Sequence, residues 1–129
     1  MDAYTTHGAF SWSELTTTDP RAATEFYGSL FGWKVEAMEM PNGTYYMVKV
    51  GDAGIGGIMA MPPDAGKMPP NWCPYVTVDD VDATAKKCTS LGGKVVHGPQ
   101  DIPGVGRFAV IIDKQGAALN VITYAPREG

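Results

Sequence analysis

The sequence predicts an α+β fold of two tandem β-α-β-β-β modules, and three observations carry that expectation. The first is an internal repeat at an offset of 61 residues. Sliding 16–35 onto 77–96 pairs Thr16 with Thr77, Asp19 with Asp80, Ala22 with Ala83, Ser29 with Ser90, Leu30 with Leu91, Gly32 with Gly93 and Val35 with Val96. Seven identities in twenty positions, where average composition gives about one or two, indicate a duplicated supersecondary unit. The second is that both copies carry helix punctuation: a capping Asp at the start and glycine at the end. The third is the stretch 61–71, whose four prolines and one glycine cannot continue a sheet and suit a semi-rigid linker. A four-stranded sheet cannot cover both its faces within one module. Two modules are therefore expected to pair into a curved, eight-stranded, barrel-like cleft with helices outside, the default place for a ligand.

Taken in order, residues 10–16 read as a short strand, and Asp19-Pro20 then supplies an N-cap followed by proline at the first helical position. Ala23, Phe26, Tyr27, Leu30 and Phe31 recur at helical spacing until Gly32 stops the helix. Residues 33–40 and 44–50 are strands joined by Asn42-Gly43, a strong hairpin signal, and 55–61 completes a first module spanning about 8–61. After the linker, 62–71, the second module covers about 72–126. Its strand 72–78 leads to a helix capped by Asp80, with Val81, Ala85, Cys88 and Leu91 as the buried stripe. Strands 94–97, 107–113 and 117–124 follow, and 98–106 reads as a long loop rich in turn formers, suited to the rim of a cleft.

Bulk properties narrow the function classes. At 129 residues, 44% hydrophobic and 19% charged, the chain is expected to be a single domain, 1–129, with material for a core. A net charge of -4 and the absence of a Lys/Arg run argue against nucleic acid. No apolar run of about 18 residues suggests a membrane span, and Met1 to His7 lack the pattern of a secretory signal, so a cytoplasmic location is expected. Cys73 and Cys88 have no Cys-x-x-Cys spacing and read as reduced thiols.

Several runs are specific enough to suggest a family. Trp12-Ser-Glu-Leu15, Thr18-Asp-Pro20, Phe26-Tyr27 and Leu30-Phe-Gly-Trp33 resemble the opening module of the glyoxalase/bleomycin-resistance/dioxygenase superfamily, also called vicinal oxygen chelate proteins. Asp101-Ile-Pro-Gly-Val-Gly-Arg-Phe108 and Asp113-Lys-Gln-Gly-Ala117 resemble its second module, in the branch of small glyoxalase-like proteins often labelled hydroxylases. The resemblance implies the fold above and a homodimer. It leaves activity open, because the superfamily includes lyases, epimerases, dioxygenases, thiol transferases and proteins that only sequester drugs. It further implies that a metal, where present, is held from the first and last strand of each module. Those positions fall here on Trp12, Cys73, Asn120 and Gly57 or Ile58, which supply an indole, a thiol and a neutral amide. A divalent cation needs three or four converging N or O donors. No metal and no other cofactor is therefore expected.

Strand alternation then names the lining of the presumed cavity. Trp12, Glu14 and Thr16 point one way, as do Cys73, Tyr75 and Thr77, and Ala118, Asn120 and Ile122, while Leu15, Val76 and Val78 face the helices. The expected ligand-binding set is Trp12, Glu14, Cys73, Tyr75, Arg107 and Asn120, with Glu14 as the candidate acid or base and as the sharpest item. Its structural alternative is an ion pair with Arg107 or another cation that simply orders the barrel. Cys73 is a candidate nucleophile or a small buried hydrophobe. Trp12, Trp72, Tyr45 and Tyr46 offer rings to a planar ligand, and Met38, Met40, Met47, Met59 and Met61 an adaptable apolar wall. His7 falls in a mobile arm and His97 at a strand end. The glycines of Gly54-Ile-Gly-Gly57 read as close strand packing. Three classes follow: a metal-free protein that binds a small organic molecule, an enzyme of the lyase, isomerase or dioxygenase type using Glu14 as acid or base or an unrecognised metal site, and an interaction module with a vestigial cavity.

Overall fold

The computed structural model describes residues 1–41, 43–62 and 68–126. Its elements run β1 (Phe10–Thr17), α1 (Pro20–Phe31), β2 (Lys34–Met40), β3 (Gly43–Val50), β4 (Ala53–Ala60), β5 (Asn71–Thr77), α2 (Val81–Ser90), β6 (Lys94–Ile102), β7 (Gly106–Ile112) and β8 (Ala118–Tyr124). This is the expected α+β order, β-α-β-β-β twice over. The chain divides into two compact units, Trp12–Trp72 and a second that joins Met1–Ser11 to Cys73–Gly129.

In the Trp12–Trp72 unit the strand order is β2-β3-β4-β1, with β1 parallel to β4 and the other pairs antiparallel. The second unit repeats that plan as β6-β7-β8-β5, with β5 parallel to β8. Each order leaves its outermost strand, β2 or β6, with a neighbour on one side only. The barrel-like form expected from sequence is corrected to this extent: within each unit the four strands form an open sheet rather than a closed barrel.

Local chemistry explains both helices. Asp19 and Asp80 each accept the amide N–H three residues on, at 3.0 and 3.1 Å, which satisfies an orphan donor of the first turn. Gly32 ends α1 in the left-handed region at φ 74°, where a Cβ is disfavoured. Beneath α1, Leu15, Val48 and Ile58 form a core onto which Ala23, Tyr27, Trp33 and Tyr46 pack. Beneath α2, the core is Val78, Val81, Ala109 and Val121, flanked by Val76 and Ile111.

Several expectations are corrected. Of the apolar residues expected to bury along α1, only Ala23 and Tyr27 pack on the core, while Phe26, Leu30 and Phe31 remain 58–59% exposed. A three-turn helix laid on one sheet face buries only a narrow stripe, and Phe31 instead packs on the rings of Tyr27 and Trp33. Leu91 is exposed, since it caps α2 rather than continuing it. Much of the long rim loop is a strand: β6 runs to Ile102, with register irregularities at Val96 and across Gly98 and Pro99, the latter on an edge, where a missing N–H is tolerated. Met40 pairs with Gly43, so Gly43 already belongs to the returning strand, and Asn42 of the expected Asn42-Gly43 turn lies outside the described residues, as do 63–67 of the linker. The amino-terminal arm is tied rather than mobile. Gly8 N–H donates to Thr77 O at 2.7 Å, Thr77 N–H to Ala9 O at 2.8 Å, and Thr77 Oγ1 to Ala3 O at 2.6 Å.

Candidate functional site

In the Trp12–Trp72 unit, residues whose neighbours form the core under α1 alternate onto the opposite sheet face. Leu15, Val48 and Ile58 point to the helix, so Glu14, Met47 and Gly57 point away from it, and the register sets Glu14 against Gly57 and Gly57 against Met47. Tyr45 shares their face, opposite Met38 on β2. On this face the Trp12 indole donates from Nε1 to the Tyr45 hydroxyl at 3.0 Å, and that hydroxyl donates to Glu14 Oε2 at 2.9 Å. The phenol thus stands between an N–H donor and a carboxylate acceptor, which fixes the direction of its own proton. All three residues are half-buried.

Glycines in β4 make this arrangement possible. Tyr45 lies on β3 and Glu14 on β1, two strands apart with β4 between them. The Tyr45 ring must cross β4 at Gly57, where an added Cβ would overlap the phenol oxygen and its ring carbon. At Gly54 an added Cβ would stand 3.1 Å from Met47 Sδ and 3.5 Å from the Trp12 ring. Close packing, the sequence reading of these glycines, is what they provide. Tyr45 entered that reading only as a ring that might stack; its role as the partner of both Trp12 and Glu14 was missed, and the signal for it was the glycine opposite Glu14.

The remaining candidates belong to the second unit. Tyr75 pairs with Asn120 across β5 and β8, and both are buried, at 5% and 6% exposure. Half-buried Cys73 is oriented with Sγ 3.8 Å from its own strand's Pro74 carbonyl oxygen and 4.0 Å from that of Ala118. Arg107 is not among them: it pairs with Thr123 and shares the strand face of Ala109 and Val121, the helix side, whereas Asn120 lies on the other. Its guanidinium grips both oxygens of Asp82 on α2, at 2.8 and 3.0 Å, and Asp101 on β6 at 3.0 Å. Those hydrogen bonds lower the Asp82 carboxyl below its ordinary value and raise Arg107. Asp79, Asp80 and Tyr124 stand around this cluster in an open hollow of about 450 Å³, and a second hollow of about 390 Å³ lies under the start of α1, lined by Phe26, Tyr27 and Trp72. Neither includes Glu14. We favour Glu14's face as the site because its polar atoms are arranged in sequence, while the acidic hollow's cation is already held by carboxylates. His97 hydrogen-bonds Gln100 at 2.6 Å, and His7 Nδ1 accepts from Asp79 N–H at 2.9 Å.

The donor set for a metal fails on its chemistry. The indole of Trp12 donates its N–H to Tyr45, and the space that a side chain at Gly57 would use is filled by Tyr45. Among the described residues no group of three or more His, Cys, Asp or Glu is arranged to hold a metal ion. The residues present do not fit a divalent ion. Among them, too, no helix is long and apolar enough to cross a membrane.

Two duplicated modules with a polar cluster on the sheet define a recognisable class. Residues 9–121 match the model of the Glyoxalase/Bleomycin resistance protein/Dioxygenase superfamily, and the chain belongs to that family. It is 46% identical over 122 residues to "Putative glyoxylase CFP32" of Mycobacterium tuberculosis, covering 94% of this chain and 46% of the relative. It is 32% identical over 135 residues to the anthracycline biosynthesis protein DnrV of Streptomyces peucetius, covering 95% and 49%. The chain therefore spans about half the length of these curated relatives. Among solved structures, Streptomyces coelicolor methylmalonyl-CoA epimerase superposes with a TM-score of 0.70 at 18% identity, covering 94% of this chain and all of the other. At that identity the likeness is one of fold.

Proposed function

We propose that this chain binds a small organic molecule, without a metal, on the sheet face that carries Trp12, Tyr45 and Glu14, and that Glu14 orients it. The observation that carries the reading is the Trp12–Tyr45–Glu14 hydrogen-bond chain. A half-buried carboxylate held by a neutral phenol beside an aromatic and methionine surface is a polar anchor in an apolar setting, the composition ligand sites share. The names of relatives point the same way, since a glyoxylase and an anthracycline biosynthesis protein both concern small organic molecules. A second reading, proton transfer by Glu14 to or from the bound molecule, draws on the same 2.9 Å contact, which places a titratable oxygen and a hydroxyl within proton-transfer reach.

A thermal-shift screen of small organic molecules against the wild type and Glu14→Gln tests both. Stabilisation of the wild type that is lost or weakened in the variant supports the binding reading. Stabilisation unchanged by the substitution removes Glu14 from the site. Retained binding with lost turnover establishes the enzyme.

A further inference from the structure

We propose that the sheet face of the second unit opposite α2 is a binding site for a neutral cis amide, the lactam or imide of a planar ring, and that the Asn120 carboxamide reads it. This goes beyond the reading of Glu14's face, because every residue in it belongs to the second unit. Its first support is Asn120 itself. The residue is only 6% exposed, and among the described residues its carboxamide has no hydrogen-bond partner. A buried polar group without a partner is costly, and a ligand that completes its hydrogen bonds removes that cost. Among the described residues no side-chain nitrogen or oxygen is both unpaired and fully sealed from solvent, so the carboxamide stays within reach of such a ligand.

The second support is the repeat. Tyr75 and Asn120 pair across parallel strands as Glu14 and Gly57 do, and Val110 stands beside Asn120 as Met47 stands beside Gly57. Two residues before Met47 is Tyr45, whose phenol crosses Gly57; two residues before Val110 is Phe108, which has no hydroxyl. The second unit thus carries a carboxamide where the first has a gap, and it lacks the phenol that fills that gap. The third support is the surround. Ala109 and Val121 belong to the core under α2, so Asn120 and Val110 face away from it, together with Tyr75, Phe108 and His97. Val110 and Phe108 are half-buried, and the His97 ring lies on Phe108 with centroids 5.5 Å apart. Exposed Lys94, opposite Ile112, is the one Lys or Arg that the four strands put on this face, and they put no Asp or Glu there.

A carboxamide sets a donor beside an acceptor. A cis amide satisfies both at once, its N–H donating to Oδ1 and its carbonyl accepting from Nδ2, whereas a ketone or a carboxylate meets only the donor. The experiment compares two probes of nearly one shape on the full chain at neutral pH: 2-quinolone, a lactam with its N–H, and N-methyl-2-quinolone, which has lost it. Binding of each is measured by calorimetry on the wild type and on Asn120→Leu, which keeps the bulk and removes both polar atoms. The expected result is that 2-quinolone binds the wild type at least about tenfold more tightly, since a site built to hydrogen-bond an N–H rejects the analogue without one. In Asn120→Leu the gap should fall to about threefold or less, through weaker 2-quinolone binding. A smaller gap in the wild type overturns the inference. So does a larger gap in Asn120→Leu, which assigns the lactam contact to another residue. Failure of both probes to bind at millimolar concentration also overturns it, and leaves the Glu14→Gln test of the other face untouched. Where Asn120→Leu does not fold, Asn120→Ala takes its place with the same expectation.

Discussion

Tyr45 is the residue on which the proposed site turns, and its hydroxyl serves two neighbours at once. Tyr45→Phe keeps the ring and removes both hydrogen bonds, taking from the half-buried Trp12 indole N–H its acceptor and from Glu14 a donor. Thermal or urea denaturation is expected to show a loss of about 1–3 kcal/mol, the range for stranding polar partners. Gly57→Ala should be harsher, because the added methyl overlaps the Tyr45 ring itself. Pairing it with Tyr45→Ala is expected to return part of that loss, so that a double-mutant cycle shows coupling of about 1 kcal/mol or more. Additive effects would mean that Gly57 is required for some other reason. Glu14 and Trp12 were legible from strand alternation, since a single strand fixes which side chains share a face. Tyr45 was not, because its contact spans three strands and depends on a register that no local pattern encodes. Arg107 was misplaced for a related reason: alternation needs a reference on the same sheet, and its partner Asp82 comes from a helix packed against that sheet.

At the level of elements, two aspartates carry most of the local logic of the second unit. Asp82 ties the first turn of α2 to β7 through Arg107, and Asp113 accepts the N–H groups of Gln115 and Ala117 at 2.9 and 3.0 Å, closing the β7–β8 connection. Hydrogen bonding, to Arg107 for Asp82 and to backbone N–H groups for Asp113, lowers both carboxyl groups below their ordinary value of 3.8. A folded-state value below the unfolded one means that these groups stabilise the fold above pH 3.8 and cease to do so as pH falls through the lowered values. Denaturation followed by circular dichroism below pH 3.8 should therefore show Asp113→Asn less sensitive to acid than the wild type. An unchanged acid limb would count against it. The helix caps were fully legible: an Asp before a helical pattern has one common use, and Asp80→Ala is expected to lower stability by about 1 kcal/mol. Helix burial was less legible, because apolar spacing gives a stripe but not the width of the surface beneath it. Phe26, Leu30 and Phe31 satisfy the spacing and stay exposed.

For the whole molecule, the repeat at 61 residues was the most informative feature, and it appears in the structure as one strand order used twice, β2-β3-β4-β1 and β6-β7-β8-β5. Duplication is legible because it needs only self-comparison. With β2 and β6 at open edges, cover from another chain is expected, and a homodimer remains our proposal. Ultracentrifugation at micromolar concentration should give a species of twice 13.8 kDa, and a 13.8 kDa species alone would speak against it. The central claim, a small-molecule site built on the Trp12–Tyr45–Glu14 chain, is tested most directly by the indole N–H resonances of the three tryptophans, Trp12, Trp33 and Trp72, in a nuclear magnetic resonance titration with 1-naphthol. The expected result is a saturable shift of the Trp12 signal that is lost in Glu14→Gln. Saturable shifts of Trp33 or Trp72 with Trp12 unmoved would contradict the claim and move the site to the aromatic cluster beside α1.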